Sequence, residues 1–374
     1  MKVLITGASG FIARNLRLLL APREEVEVIE FDRNQTVEQL PTMLEGVDFV
    51  FHLAGVNRPQ DPAEFMTGNA DLTVALCEAL ASRAMLGVCT PVVYTSSIQA
   101  AQANPYGDSK RSAEEALFSL QRDHGVPVHV FRLPNVFGKW SRPNYNSAVA
   151  TFCHNVARDL PIQINNPDAL VSLVYVDDVV QRFVALMDGA EPCLDGGGFE
   201  QIQPVYTITV GKLADTIRGF RDSRDTQMID HVGTGLTRAL YATYVSYLPT
   251  NSFSYTVPMH GDPRGVFVEM LKTQDSGQFS YFTAHPGITR GGHYHHTKTE
   301  KFLVIKGQAL FRFRHMQTGE TYELRTDGTR AEVVETVPGW THDITNTGQD
   351  EMVVMLWANE VFDREKPDTY ACPL

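Results

Sequence analysis

The sequence has few cysteines, a deficit of positive charge and no long apolar run. Its 32 basic and 44 acidic residues give a formal net charge of −12, which argues against a general nucleic-acid binder because such proteins need a basic surface. No run of about 18 apolar residues is present, so no membrane span is expected. A strand-like apolar segment follows Lys2 at once, so no signal peptide is expected either. The five cysteines form no CxxC pair, which favours free thiols in the cytoplasm.

The length of 374 residues predicts two domains. Up to about residue 250, short apolar runs alternate with helical patterns, which predicts an α/β fold with a parallel sheet covered by helices on both faces. After a turn-rich stretch at 248–252, short strands alternate with turns that contain glycine or proline. This second pattern is typical of an all-β barrel or sandwich. We therefore expect domains at 1–250 and 251–374.

A glycine-rich turn at 7–13 follows the first predicted strand and opens a helix. Gly7 allows a tight turn, and Gly10 lets the backbone approach a pyrophosphate at the helix N-terminus. The second predicted strand ends in Asp32 and Arg33. An acidic residue there binds the ribose 2′-hydroxyl of NAD, whereas an arginine accommodates the 2′-phosphate of NADP. The turn predicts a dinucleotide site, and its spacing leaves NAD and NADP open.

Tyr106 and Lys110 are candidates for proton transfer. They are four residues apart in a predicted helix that starts at Pro105, so they share one face. A neighbouring ammonium lowers the pKa of a tyrosine from about 10, which makes Tyr106 a usable proton donor or acceptor near neutral pH. An upstream strand ends in two serines whose hydroxyls could bond a substrate oxygen. Ser97 is the preferred one, with Ser96 as the alternative.

These residues resemble the extended short-chain dehydrogenase/reductase family, and further motifs at 48–55, 132–138 and 175–179 extend the resemblance over about residues 1–250. It implies hydride transfer between a nicotinamide and a sugar carbonyl. Ser97 and Tyr106 would hold and protonate the oxygen, and Lys110 would bind the nicotinamide ribose. The resemblance and the turn together give these cofactor-binding residues: Gly7, Ser9, Gly10, Phe11, Ile12, Asp32, Arg33, Leu53, Ala54, Gly55, Lys110 and Asn135.

Dehydratases of this family carry an acidic pair directly after the catalytic hydroxyl, because elimination needs an additional acid and base. Here Ile98 and Gln99 follow Ser97. We therefore expect simple reduction or oxidation rather than dehydration.

Four potential metal ligands occur in the second predicted domain: His293, His295, Glu300 and His342. If 293–295 is a strand, the first two histidines share one face. Three imidazoles and a carboxylate suit Zn, Fe, Ni or Mn, and zinc is the preferred divalent metal. The spacing resembles the two cupin motifs over about 252–374, which implies a small β-barrel.

An extended reductase joined to a cupin resembles the CapF/WbjC family of capsule and lipopolysaccharide enzymes. The resemblance implies two activities: C3 epimerisation of UDP-2-acetamido-2,6-dideoxy-L-arabino-hex-4-ulose in the cupin, then reduction of its C4 ketone with NADPH to UDP-2-acetamido-2,6-dideoxy-L-talose. The partner is then a UDP-activated 4-keto-6-deoxy amino sugar, and the assembly a homodimer or higher oligomer. Arg58, Asn144 and Asn146 would contact the substrate. The matching segments are 51–59, 96–100, 137–140, 143–147, 301–304 and 367–370.

Two other interpretations remain at this point. In one, the second domain serves only oligomerisation and stability, and the reductase alone is catalytic. In the other, the chain is a nucleotide-sensing regulator. The base that would remove the C3 proton also stays open, with Tyr294, His296, Lys298 and a metal-bound water as candidates.

Overall fold

The computed structural model describes residues 1–253, 255–295, 298–316, 318–337, 340–365 and 367–374. The chain forms two compact units. The first contains residues 1–217 and 238–248, and the second contains residues 218–237 and 249–374.

The first unit is built on a parallel sheet, as the sequence predicted. Its central strands are buried on both faces, which explains their continuous apolar sequences. The strands are β1 (Lys2–Thr6), β2 (Glu27–Phe31), β3 (Phe49–His52), β4 (Val92–Ser97) and β5 (Val128–Leu133), in the order β2-β1-β3-β4-β5. A smaller sheet has the order β6-β7-β8, from β6 (Asn135–Phe137), β7 (Leu170–Tyr175) and β8 (Tyr206–Thr209).

Helices connect and cover these strands. They are α1 (Phe11–Leu20), α2 (Leu40–Met43), α3 (Leu72–Met85), α4 (Pro105–His124), α5 (Ala148–Val156), α6 (Val176–Met187), α7 (Val210–Thr226) and α8 (Gly235–Ser246). A π-helical segment, Met66–Asp71, leads into α3, and short 3₁₀ turns lie at Val37–Gln39, Ile98–Ala101 and Thr250–Ser252. Across the described residues, none of the helices has both the length and the apolar character needed to cross a bilayer.

The strand order places a crevice at the carboxyl edge of the large sheet. The neighbours of β1 are β2 on one side and β3 on the other, and open α/β sheets bind ligands where the order reverses in this way. Because all five strands are parallel, the segments after β1, β2, β3 and β4 meet at the same edge. Gly7, Asp32 and Leu53 of the predicted site lie in these segments, and Ser97 is the last residue of β4.

The part of the second unit after residue 258 is all β, as predicted, and its strands form two sheets; the end of α7 and the start of α8 also belong to this unit. One has the order β10-β11-β12-β19-β14-β17, with β9 paired to β11, and the other has the order β16-β15-β18-β13-β20. Within the described ranges no ladder joins the sheets into a closed barrel. The strands are β9 (Met228–Ile229), β10 (Met259–Asp262), β11 (Gly265–Thr273), β12 (Gln278–Ala284), β13 (Thr289–Tyr294), β14 (Glu300–Lys306), β15 (Gln308–His315), β16 (Thr321–Asp327), β17 (Val333–Glu335), β18 (Trp340–Asn346), β19 (Met352–Ala358) and β20 (Tyr370–Ala371).

The inner faces of the two sheets form one apolar core. Its buried residues come from both sheets, and their alternation along each strand leaves the other face for solvent. They are Phe282, Ala284, Phe302, Val304, Ala309, Phe311, Phe313, Val334, Ile344, Met352 and Val354.

Candidate active sites

The glycine turn after β1 has the geometry that the sequence predicted. Gly7 adopts a left-handed φ of +66°, and its N–H donates to the Phe31 carbonyl at 2.8 Å. A Cβ on Gly7 would lie 2.7 Å from the Cα of Ala54, in the segment after β3. Gly10 caps α1, which begins at Phe11. The turn therefore brings the start of α1 to the crevice, where its free N–H groups favour an anion.

Asp32 is tied to the same turn. Its carboxylate accepts the backbone N–H of Ser9 at 2.8 Å and that of Arg33 at 3.0 Å. Burial raises the pKa of Asp32, but these hydrogen bonds outweigh burial, so the pKa of this carboxyl is lowered overall. Asp32 is therefore charged at neutral pH. Since Arg33 is exposed beside it, both ribose-recognising side chains remain at the end of β2.

We predict that Gly7→Ala weakens nicotinamide-dinucleotide binding at least tenfold, because the new methyl group meets backbone atoms that cannot rotate away. The matched control is Gly125→Ala. Gly125 has a similar φ of +67°, but a Cβ there would meet nothing within 4 Å. Both variants bear the cost of a left-handed alanine, about 1–2 kcal/mol, so the difference between them isolates the clash. NADPH fluorescence titration measures it, and equal affinities for the two variants would contradict the prediction.

The two serines at the end of β4 point to opposite sides of the strand. Ser96 is 5% exposed, and its hydroxyl donates to the Glu114 carboxylate inside α4. Ser97 is partly exposed, accepts the N–H of Gln99 at 3.2 Å, and hydrogen-bonds with Tyr106. The structure thus brings Ser97, the preferred serine, to the tyrosine and turns Ser96 away.

The electrostatics of Tyr106 differ from the sequence-based expectation. Burial raises the pKa of Tyr106, and the hydrogen bond with Ser97 offsets this only in part. Lys110, which was expected to lower it, is 4% exposed and donates instead to the Thr95 carbonyl at 2.9 Å and the Tyr94 hydroxyl at 3.3 Å. Burial also lowers the pKa of Lys110 to about 8, although Glu114 opposes this shift. Tyr106 is therefore protonated at neutral pH.

The segment after β3 is fixed beside Lys110. A Cβ on Gly55 would lie 3.1 Å from the Lys110 Nζ, so Gly55 lies beside the lysine, whereas the backbone of Leu53 and Ala54 lies against Gly7. Asn69 holds this segment, because its side chain exchanges hydrogen bonds of 2.7 and 2.9 Å with the backbone of Val56. Sequence reasoning did not identify Asn69, which lies in the π-helical segment before α3.

Glu114 is a second residue that sequence reasoning did not identify, and it connects the elements that carry the site residues. Its carboxylate is 2% exposed and accepts two hydrogen bonds from Arg132, at 2.9 and 2.6 Å, as well as that of Ser96. The Arg132 guanidinium carbon also lies 3.8 Å from the centre of the Phe199 ring. Glu114 thus joins α4, which carries Lys110, to the end of β4.

Replacing Glu114 with glutamine should lower the free energy of unfolding by about 2–3 kcal/mol, because the charge-assisted bonds to Arg132 are lost in a buried place. Urea denaturation of the full chain measures this change. Asp108→Asn is the control, since Asp108 pairs with Arg111 on the same helix at an exposed position and such pairs contribute little. The network is structurally unimportant if both variants unfold at the same urea concentration.

The other predicted cofactor- and substrate-binding residues differ in their contacts and exposure. The Asn135 amide donates to the Ser172 carbonyl at 3.0 Å, so that side chain already has a backbone partner. The guanidinium carbon of Arg58 lies 5.9 Å from the centre of the Tyr145 ring, which brings Arg58 to the predicted substrate segment. Asn144 in this segment has a positive φ of 55°, and Asn146 is exposed.

The four predicted metal ligands in the second unit lie together. One ligand atom from each of His293, His295, Glu300 and His342 lies within 4.8 Å of the others. His293 and His342 face each other across β13 and β18, whereas Glu300 begins β14 in the other sheet. β13 ends at Tyr294, so His295 follows the strand rather than lying in it, but it still joins the cluster.

Burial and hydrogen bonds define the surroundings of three of the four ligands. The His295 Nδ1 donates to the Asp368 carbonyl, and its Nε2 lies 3.1 Å from a Glu300 oxygen. Burial lowers the pKa of His293 to about 4. Burial raises the pKa of Glu300, but the neighbouring imidazoles of His295 and His342 and the charge of Lys298 reverse this shift, so its pKa is strongly lowered.

A divalent cation fits the cluster. Both ring nitrogens of His342 are buried and lack a hydrogen-bond partner among the described residues, a costly state that a metal bound to one of them would relieve at that atom. The donor set of three imidazoles and one carboxylate suits zinc and related ions. Of the candidate bases, Lys298 is 6% exposed and its Nζ lies 3.9 Å from a Glu300 oxygen, whereas His296 lies outside the described residues.

Fold and site together define the first unit as an extended short-chain dehydrogenase/reductase. Comparison with known families agrees: the NAD dependent epimerase/dehydratase family matches residues 3–195, and the polysaccharide biosynthesis C-terminal domain matches residues 260–370. A UDP-glucuronic acid 4-epimerase structure from Bacillus cereus in complex with NAD shares 17% identity with a TM-score of 0.55, over 66% of this chain and 98% of that one, which shows the fold alone.

Two relatives match the whole chain. A UDP-2-acetamido-2,6-beta-L-arabino-hexul-4-ose reductase from Pseudomonas aeruginosa is 64% identical over 372 residues, covering 100% of this chain and 98% of the relative. The crystal structure of the capsular polysaccharide assembling protein CapF from Staphylococcus aureus is 39% identical, with a TM-score of 0.89 and full coverage of both chains. The chain therefore belongs to the CapF-type branch of the NAD-dependent epimerase/dehydratase family, in which the reductase unit is joined to a polysaccharide-biosynthesis domain.

Proposed function

We propose that the first unit reduces the C4 ketone of a UDP-activated 4-keto-6-deoxy amino sugar to an alcohol, giving UDP-2-acetamido-2,6-dideoxy-L-talose. The observation that carries this proposal is the grouping of Ser97, Tyr106 and Lys110 beside the glycine turn. The 64% identical reductase from Pseudomonas aeruginosa, which matches the whole chain, supports the same substrate.

The residues of the crevice fit a nicotinamide dinucleotide. Because Gly7 has no side chain, the turn packs directly against the backbone of Ala54. The start of α1 provides N–H donors for the pyrophosphate. When bound, the reduced nicotinamide supplies the hydride that C4 accepts. We assign NADPH as the preferred form, with Arg33 on the 2′-phosphate, while Asp32 leaves NADH as an alternative.

Tyr106 then donates the proton that the C4 oxygen needs, so one hydride and one proton convert the ketone to the alcohol. The raised pKa of Tyr106 suits this direction because the acid must be protonated before reduction. Ser97 holds the carbonyl oxygen, and Lys110 binds the nicotinamide ribose. Arg58, Asn144 and Asn146 contact the substrate in this proposal.

The second unit, in the same proposal, is a cupin that inverts C3 of UDP-2-acetamido-2,6-dideoxy-L-arabino-hex-4-ulose before the reduction. The C4 ketone acidifies the C3 proton, and His293, His295, Glu300 and His342 would hold a zinc ion. When bound, the ion supplies a Lewis acid that stabilises the enolate charge. The four clustered donors support this step, and the base stays open among Tyr294, His296, Lys298 and a water.

The proposal also includes the organisation of the enzyme. It has a reductase domain at 1–250 and a cupin domain at 251–374, acts as a homodimer or higher oligomer, and works in the cytoplasm, where its five free cysteines stay reduced. The matches to two family profiles at 3–195 and 260–370 support the two domains.

The experiment is incubation of the full chain with the UDP-linked hex-4-ulose and NADPH or NADH, followed by NMR of the product. Cofactor oxidation with a talose-configured product supports both activities. Cofactor oxidation with the C3 configuration unchanged would leave the reductase and reject the epimerase, which is the result expected if the second unit only stabilises or assembles the protein. No oxidation with either cofactor would reject the proposed function.

A further inference from the structure

A cavity of about 250 Å³ lies beside the metal-ligand cluster in the second unit. Its wall includes His293, Glu300 and His342, and also two arginines, Arg264 and Arg290. Phenylalanine side chains from both sheets form most of the remaining wall. The cavity is therefore an apolar chamber whose polar features are the metal ligands, the two guanidinium groups and Asp343, a carboxylate that pairs with Arg312.

A β-bulge places Arg290 on the cavity side of β13. Arg290 pairs with Ile344 of β18, and His293 pairs with His342, while Gly292 is the extra residue between them. Ile344 and His342 are two residues apart on β18, so they share the inner face. Their partners Arg290 and His293 therefore share that face as well, although they are three residues apart. Gly291 and Gly292, with φ of +93° and +74°, make this bulge possible.

Arg290 is held in place but has spare donors. Its Nε donates to the Thr283 carbonyl at 3.0 Å, and its guanidinium carbon lies 5.2 Å from the centre of the Phe282 ring. Among the described residues, no carboxylate pairs with it: the nearby Asp262 forms a forked bond with Arg264 instead. Burial and the charge of Arg264 lower the pKa of Arg290, and the nearby Asp262 opposes this shift only in part.

We infer that Arg290 binds a phosphate oxygen of the nucleotide sugar whose hexose ring enters the metal cavity. This inference rests on the proposed function of the second unit, since it names how that site holds its substrate. A partly buried guanidinium with free, planar donors is the side chain best suited to a phosphate. Arg264, with half of its side chain exposed (54%) and paired with Asp262, lies on the same wall.

The size of the cavity indicates which part of the ligand meets Arg290. Pockets that enclose a whole drug-sized ligand have roughly 300–1,000 Å³, so a chamber of about 250 Å³ accepts a sugar ring but not a complete nucleotide sugar. The diphosphate must then lie toward the open side, beyond the metal ligands. An arginine that is only partly buried, with an exposed second arginine on the same wall, matches that position.

The test is equilibrium binding of UDP to the full chain by isothermal titration calorimetry. The wild type should show two classes of UDP site, one in each unit. Arg290→Gln should weaken one class about tenfold to a hundredfold and leave the other unchanged, and Arg290→Lys should lie between. Arg325→Gln is the matched control, because Arg325 is an exposed arginine on the same sheet. Excess inorganic phosphate should compete with UDP at the Arg290-dependent class.

A single class of UDP site in the wild type, or identical isotherms for wild type and Arg290→Gln, would overturn the inference. A UDP site that depends on Arg290 but resists inorganic phosphate would also overturn it, because recognition would then come from the uridine. Failure of the proposed function looks different: solvent deuterium would not enter C3, while the second UDP site and its dependence on Arg290 would persist.

Discussion

Replacing Tyr106 with phenylalanine should reduce the rate of ketone reduction about 10²- to 10⁴-fold, the usual contribution of a positioned general acid. The raised pKa of Tyr106 means that it carries the proton at neutral pH, and the phenyl ring has none to give. The change removes one hydroxyl and leaves the ring contact with Phe65, whose ring centre lies 5.7 Å away. The measurement is NADPH oxidation under saturating substrate.

Two readouts separate loss of chemistry from loss of structure in Tyr106→Phe. NADPH affinity should stay within about twofold of the wild type, because the glycine turn and Lys110 are intact. Exchange of the C3 proton with solvent should also persist, since we propose that it takes place in the second unit. A variant that reduces the ketone at the wild-type rate would show that another group supplies the proton.

Replacing His342 with alanine should abolish binding of the divalent metal that we propose for the cluster, and should slow C3 exchange on the order of 10³-fold, equivalent to about 4 kcal/mol of transition-state stabilisation. The ring of His342 is 4.8 Å from that of His293 and 5.2 Å from that of His295, so its loss opens one side of the donor set. Metal analysis of the purified protein and NMR of the sugar in heavy water measure the two effects.

The control for this variant is His285→Ala, which removes an imidazole that is half exposed and lies in the same unit. It should leave metal content and C3 exchange unchanged. His342→Ala should still reduce a substrate whose C3 is already inverted, since the residues of the first unit are untouched. If C3 exchange survives in folded, metal-free His342→Ala, the cluster has no part in epimerisation.

The sequence predicted the residues of the candidate sites better than the contacts that hold those residues in place. The glycine turn, Tyr106 with Lys110, and the four-donor cluster are each short patterns. The structure brings the four donors together and places Lys110 beside the segment after β3, but Lys110 bonds to Tyr94 and Thr95 rather than to Tyr106. The assignment of Ser97 over Ser96 could not come from alternation, because β4 is buried on both faces along most of its length. Only the contacts with Glu114 and Tyr106 separate the two serines.

The roles of Glu114 and Arg290 could not be predicted, because the sequence pattern around each residue fits more than one structure. Glu114 follows Lys110 by four residues and precedes Leu117 by three, a spacing that places it on the buried face of α4, but a glutamate in a helix is usually exposed. Arg290 and His293, three residues apart, would lie on opposite faces of a regular strand. The bulge at Gly292 puts them on one face, and the double glycine was its only sequence signal.

The central claim is that one ketone is used twice, first to loosen the C3–H bond and then to accept hydride at C4. Isotope labelling of the product from wild-type protein tests it directly. Reaction in heavy water with NADPH should place deuterium at C3, and reaction in ordinary water with deuteride-bearing NADPH should place it at C4. A product labelled at C4 but never at C3 would contradict the account, because the chain would then be a reductase alone.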